Sequence, residues 1–200
     1  MSTDNIDKSK RRFLTAATSV VGAVGVGAVA VPFISSWMPS ARAQAAGAPV
    51  EADFSKLQPG GRVVVEWRGK PVWIVRRNEE TLKNLDKLAS SNVLLDPDSK
   101  NTDQQPDYAA DKYRAQKPEY SVLIGICTHL GCSPTYLPLG KPNNLGKEWL
   151  GGFFCPCHGS KFDLAGRVYS GVPAPSNLVV PPYKYLSETV IIIGVDKGVA

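Results

Sequence analysis

Cys127-Thr128-His129-Leu130-Gly131-Cys132 and Cys155-Pro156-Cys157-His158-Gly159-Ser160 decide how this chain is read. Together they hold all 4 cysteines and both histidines of its 200 residues. Cysteines scattered through a core for packing would not gather round every histidine. Each box offers a cysteine and a histidine at a short offset, as a metal site shared between two loops requires. Thiolates and neutral imidazoles are the ligands of zinc, iron and iron–sulfur centres.

Three chemistries compete for this set. Structural zinc wants cysteine pairs and histidine pairs in separate groups, and six candidate ligands exceed the needs of one tetrahedral ion. Cys–His nucleophilic catalysis leaves most of the cysteines unexplained, and no cysteine stands out as the nucleophile. A [2Fe-2S] cluster held by Cys-x-His and Cys-x-x-His uses both boxes, with two cysteines on one iron and two histidines on the other, as in Rieske centres.

The surrounding sequence places the boxes on loops after strands. Residues 120–126 and 148–154 are apolar runs that lead into them. Upstream, 62–67 and 72–76 flank Arg68-Gly69-Lys70-Pro71 as a hairpin. Asn78 before Glu79 and Glu80 starts a helix in which Leu82, Leu85 and Leu88 recur at near-helical spacing. Residues 96–117 are rich in Asp, Gln and Pro and read as an irregular surface excursion. Residues 161–163 and 167–169 form a hairpin around Ala165-Gly166, and 178–185 and 189–195 are strands about a turn at Ser187-Glu188. No internal repeat is evident. The sum is a mainly β, mostly antiparallel domain with one short helix.

Charged residues make up 20% of the chain and hydrophobic ones 43%, which excludes a disordered protein. The net charge of +5 is mild, and Lys8, Lys10, Arg11 and Arg12 supply part of it. No basic stripe interleaves with aromatics, so nucleic acid is not an expected partner. After those cations comes an uncharged stretch, 13–41, long enough to span a bilayer as a helix. Positive charge ahead of it places the N-terminus on the cytoplasmic side. Ser9-Lys10-Arg11-Arg12-Phe13-Leu14 resembles a twin-arginine export signal, with Lys10 in place of one consensus residue. Export of a folded protein suits a cluster acquired in the cytoplasm. Small-residue cleavage sites follow at Ala41-Arg42-Ala43 and Ala43-Gln44-Ala45, but the apolar run exceeds an ordinary signal core, which favours a retained anchor. The expected layout is an export signal and single-pass anchor at 1–39, a hinge linker at 40–50 and a soluble domain at 51–200, with a cluster-binding subdomain about 126–175. The alanines at 41–46 allow the alternative of a continued helix.

The pattern C-T-H-L-G-C … C-P-C-H-G-S, with the anchor, the linker and a proline loop at Gly171-Val172-Pro173-Ala174-Pro175, resembles the Rieske iron–sulfur subunits of bacterial ubiquinol–cytochrome c reductases. The resemblance implies a Rieske-type antiparallel β domain with an inserted cluster-binding subdomain. It implies one [2Fe-2S] cluster on Cys127, His129, Cys155 and His158, and a disulfide between Cys132 and Cys157 that suits an oxidising compartment. Ser160 corresponds to a serine that donates to a cluster sulfur; without the resemblance it is a turn serine. Many members carry, two positions on, a tyrosine that donates to a cysteine ligand. Here that position is Phe162, so a lower potential is expected. Gly171, Pro173 and Pro175 would cover the cluster, although the commoner form of that loop lacks a counterpart of Val172.

The same resemblance implies the working partners. His158 first, and His129 beside it, would take a hydrogen bond and a proton from ubiquinol, and Leu130 would meet cytochrome b. The electron would pass to a c-type cytochrome after the tethered domain swings, and the reaction would contribute to proton translocation. The expected setting is a dimeric complex in a bacterial inner membrane with the cluster domain in the periplasm. The rival reading is the Rieske small subunit of arsenite oxidase, against which the anchor, the linker and the proline loop weigh.

Overall fold

The computed structural model describes residues 7–140 and 144–195. The ends of the expected anchor and domain segments, 1–6 and 196–200, lie outside the described residues. The chain divides into two units, 1–45 and 46–200, each with its own organisation.

The first unit is dominated by α1 (Lys8–Ser35), a helix of 28 residues whose most apolar window has a mean hydropathy of 2.0. At 1.5 Å per residue it is about 42 Å long, enough to cross a bilayer. Asp7 caps it, its carboxylate accepting from the Ser9 and Lys10 N–H groups. Pro32 sits in the last turn, where the helical bond it denies to the Ala28 carbonyl is followed by only three more helical residues. Phe13, Val24, Val31 and Phe33 are all exposed. The stretch read as a linker contains a short helix, α2 (Ala41–Ala46), and its last residue, Val50, already belongs to a strand.

Among the described residues the second unit is built on three antiparallel sheets. In the first, β1 (Val50–Asp53), β9 (Val190–Ile193) and β8 (Tyr183–Tyr185) lie in that order. The second joins β2 (Arg62–Trp67), β3 (Lys70–Arg76) and β4 (Tyr120–Ile124), with Trp73 opposite Leu123. The third, interleaved with the two cysteine–histidine boxes, joins β5 (Thr135–Leu137), β6 (Gly152–Phe154) and β7 (Lys161–Asp163). β4 is buried along its whole length, although it stands at the edge of its sheet. The extended chain at Val179 covers that edge, its carbonyl accepting from the Ile124 N–H at 2.8 Å. This also explains why the run expected as a strand from 178 is a ladder only from Tyr183. Its first half is held by separate bonds, Leu178 N–H to Gly166 and Val180 N–H to Gln104, and Pro181 and Pro182 have no N–H to donate.

α3 (Glu79–Ala89) follows the expected start: the Asn78 side chain accepts from the Thr81 N–H at 2.8 Å, and Leu85 and Leu88 are buried. Two strands, β1 and β5, were not expected. Only Ala52 of β1 is buried, so its sequence shows little alternation, and β5 is a three-residue strand. Of the run at 148–154 only β6 is extended; Trp149 instead closes a turn on Gly146 and packs against Tyr169. The 161–169 hairpin is reduced to β7 with isolated bridges from Val168 and Tyr169.

The 96–117 segment is irregular, as expected, and Asp98, Lys100, Asp103, Asp107 and Lys112 lie on the surface, but it is also a strap with Ala109, Arg114 and Ala115 buried. Arg114 turns inward because groups from elsewhere satisfy it. Arg114 donates to the Ala165 carbonyl at 3.1 Å, to that of Gln104 at 3.2 Å and to the Gln105 side chain at 3.0 Å. Asp163, the last residue of β7, forms a fully buried ion pair with Arg167 at 2.7 Å. Arg167 also reaches the Leu85 carbonyl at 2.9 Å, which ties α3 to β7.

Candidate metal centre

The two boxes fold as the same loop, built twice. In the first, the Cys127 N–H donates to the Cys132 carbonyl and the Gly131 N–H returns to the Cys127 carbonyl. In the second, the Cys155 N–H donates to the Ser160 carbonyl and the Gly159 N–H to the Cys155 carbonyl. The fifth residue of each turns the chain in the left-handed region, with φ of 84° at Gly131 and 79° at Gly159, which is why both boxes have glycine there. The equivalence is hidden in the sequence because the boxes share only cysteine at position one and glycine at position five.

β4 delivers the first loop through Gly125, and β6 delivers the second. A side chain at Gly125 would lie inside the Trp73 indole, which itself stacks on Phe153 at 4.7 Å. The first loop thus rests on the aromatic face of β3, and the second is rooted in the same stack. Tyr136 of β5 anchors the small sheet by donating to the Gly60 carbonyl at 2.8 Å.

The loops bring the four expected ligands together and sort them by exposure. Cys127 and Cys155 are free thiols and both are buried. Burial pushes the Cys127 thiol up; the His129 N–H and the Ser160 hydroxyl, aimed at its sulfur, pull it down, and the neighbouring Cys155 thiol adds to the rise. The two imidazoles stand together on the outer side, ring centroids 4.8 Å apart and nearly perpendicular, with His129 half-buried and His158 exposed. Cys132 and Cys157 are joined as a disulfide that ties one loop to the other. Two adjacent sulfurs inside and two adjacent imidazoles outside fit a two-iron cluster with unlike ends. The donors facing Cys127 are those that stabilise charge on a ligating sulfur.

The proline loop expected to cover the cluster (the cover loop) is fixed from both sides. Pro173 and Pro175 are exposed, and Ala174 between them is buried. Its N–H is the only one that Pro173-Ala174-Pro175 possesses, and it donates to the Ser160 Oγ at 3.1 Å. The Thr128 hydroxyl, inside the first box, donates to the Ser176 carbonyl at 2.6 Å. Val172 packs against the core. Sequence reasoning missed Thr128 and Ala174; the lone N–H between two prolines is the signal that points to Ala174. Phe162 is fully buried on β7, opposite Phe153. Leu130, at the tip of the first loop, is 71% exposed.

Comparison with known proteins agrees with these features. Residues 1–40 match the family model described as "Ubiquitinol-cytochrome C reductase Fe-S subunit TAT signal", and residues 100–184 match that of the Rieske [2Fe-2S] domain. The ubiquinol-cytochrome c reductase iron-sulfur subunit of Allochromatium vinosum is 60% identical, over 100% of this chain and 95% of that protein. The subunit of the same name from Blastochloris viridis is 44% identical over 100% of this chain and 99% of its own length. The mitochondrial cytochrome b-c1 complex subunit Rieske-4 of Nicotiana tabacum is 42% identical over 94% of this chain and 71% of its own. Among solved structures, a chain of a hyperthermophilic respiratory complex III is 29% identical, with 88% of this chain and 98% of that one covered at a TM-score of 0.46.

Proposed function

The chain belongs to the family of Rieske iron–sulfur subunits of ubiquinol–cytochrome c reductase and carries one [2Fe-2S] cluster, and from that premise we propose that it takes electrons from ubiquinol and hands them to a c-type cytochrome. When bound, the cluster supplies one-electron redox chemistry at a potential raised by neutral imidazole ligation. Cys127 and Cys155 would hold one iron and His129 and His158 the other.

The observation that carries this reading is the sorting of the ligands by exposure. Buried cysteines keep water from the sulfur side, and the exposed His158 offers an outer ring nitrogen to a quinol hydroxyl. His158 accepts that hydrogen bond and then the proton, with His129 beside it as the second candidate. Leu130 and the prolines of the cover loop offer an apolar rim for docking on cytochrome b. α1 anchors the subunit in the bacterial inner membrane, the export signal sends the cluster domain to the periplasm, and the linker lets it travel between cytochrome b and the c-type cytochrome of a dimeric complex. Protons leaving His158 on that side contribute to translocation.

EPR-monitored redox titration of membranes, with and without a quinol-site inhibitor, tests the reading. The reduced signal should change shape when the inhibitor binds, and the subunit should co-purify with cytochromes b and c. A signal indifferent to the inhibitor, or co-purification with a large molybdopterin subunit, would sink it.

A further inference from the structure

Three sulfur atoms meet where the two cluster loops touch. The Sγ atoms of Cys132, Cys155 and Cys157 all lie within 4.8 Å of one another. Two of them form the disulfide, and the third is a free, buried thiol. A thiol beside a disulfide is a reacting pair, since exchange proceeds by attack of one sulfur on the bridge and its rate depends on access. A sulfur committed to iron, by contrast, is withheld from the bridge.

Resting on the role of Cys155 as an iron ligand, we propose that the cluster protects the Cys132–Cys157 bridge from the protein's own Cys155. In a chain without its cluster, the Cys155 sulfur attacks the Sγ of Cys132. A Cys132–Cys155 bond forms as the Cys132–Cys157 bond breaks, Cys155 loses its proton to water, and Cys157 takes one up as it leaves. One disulfide replaces another, so no outside oxidant or reductant is needed.

The geometry selects Cys132 as the sulfur attacked. Cys157 stands two residues from Cys155 in the same tight turn, and a bridge across a single residue closes a short, stiff ring. Cys132 stands on the opposite loop, where a bridge to Cys155 still ties the loops together. Exposure favours the same direction. Cys157 is exposed and Cys155 is 2% exposed, so the exchange moves the free thiol from the interior to the surface. The product has lost a ligand and has no thiol beside the new bridge except the one it expelled to water and Cys127. Solvation of the expelled Cys157 thiol therefore holds the emptied chain on the side of the exchanged bridge, and reloading is blocked while that bridge stands.

The test uses the purified full-length chain, loaded, then stripped with an iron chelator under argon, with disulfides mapped by alkylation and non-reducing peptide mass spectrometry. The loaded chain should show Cys132–Cys157 and no label on Cys155. The stripped chain should show Cys132–Cys155 with label on Cys157 and Cys127. With the alkylating agent present during stripping, Cys155 should be captured and Cys132–Cys157 should survive. A Cys155→Ala chain should keep Cys132–Cys157 throughout. Iron and sulfide should restore the EPR signal to the stripped chain only after a thiol reductant. A stripped chain that retains Cys132–Cys157 with Cys127 and Cys155 both labelled, or that reloads without reductant, overturns the proposal. Label on Cys155 in a chain whose EPR signal is intact would instead overturn its assignment as a ligand.

Discussion

The Ser160 hydroxyl accepts a hydrogen bond from the Ala174 N–H at 3.1 Å while it faces the sulfur of Cys127. With its acceptor side occupied by the cover loop, its proton is left for the sulfur. A donor to a ligating sulfur stabilises the reduced, more negative cluster. Ser160→Ala should therefore lower the midpoint potential, by about 40 mV if the bond differs by about 1 kcal/mol between redox states. It should also leave the buried Ala174 N–H unpaired, at a cost of roughly 1–3 kcal/mol in stability. Redox titration by EPR reads the first effect and thermal unfolding the second. An unchanged potential would remove Ser160 from the tuning of the cluster.

Phe162 tests the same physics from the other side. It is fully buried on β7, in the core that surrounds the two free cysteines. Phe162→Tyr places a hydroxyl in that core, and a buried hydroxyl without a partner costs roughly 1–3 kcal/mol. If a cysteine ligand is its partner, the potential rises by a similar few tens of millivolts and stability holds. A fall in melting temperature with no rise in potential would show that the hydroxyl finds no sulfur, and that Phe162 is not what sets the potential of this chain.

Much of the candidate site was legible because the residue types that can ligate a metal are few and this chain keeps them together. Cys127, His129, Cys155 and His158 stand out by type and spacing, and Asn78 announces α3 by local capping chemistry alone. The Cys132–Cys157 bridge came only through a family resemblance, since residue type does not say which cysteines pair. The contacts that fix the site were hidden. Ala174 matters through a backbone N–H, and Thr128 through a carbonyl that the chain returns much later. The buried part of the 96–117 strap was hidden for a related reason. Arg114 is buried because remote carbonyls meet it, and composition records only that it is polar.

Asp163 should be the most sensitive charge in the domain. It and Arg167 are fully buried and paired at 2.7 Å, and its other oxygen accepts from the Ala165 and Arg167 N–H groups at 2.9 and 2.8 Å. Burial pushes the nearby guanidinium groups of Arg77 and Arg114 down to about 10, and Asp163 is the first charge that opposes this at each. Asp163→Asn leaves three buried guanidinium groups without that carboxylate. Breaking one side of a buried pair costs about 3–5 kcal/mol, or roughly 6–20 °C in melting temperature for a domain of this size. Because solvent does not reach the pair, high salt should not reproduce the loss in the unmodified chain. A drop of under about 1 kcal/mol would mean that the backbone carbonyls alone satisfy the arginines.

The alkaline limit of stability should be set partly by tyrosines. Burial raises the pKa of Tyr169, Tyr183 and Tyr185 above the ordinary 10.0. An acid whose folded pKa is raised lends its full stability below the unfolded pKa and loses it as pH climbs toward the folded one, because the unfolded chain ionises first. Stability should thus begin to fall near pH 10. Arg77 and Arg114, lowered to about 10, act in the opposite sense, so a comparison that cancels them is required. Tyr185 provides it: its hydroxyl is buried with no hydrogen-bond partner among the described residues, while Lys117 sits over its ring at 4.3 Å. Tyr185→Phe keeps the ring and removes the titrating group. The variant should match or slightly exceed the parent in stability at neutral pH. Its advantage should then grow above pH 10, by at most about 1.4 kcal/mol per pH unit. Denaturant unfolding at stepped pH reads this directly. A difference that stays constant across that range would show that Tyr185 reaches solvent before the fold opens.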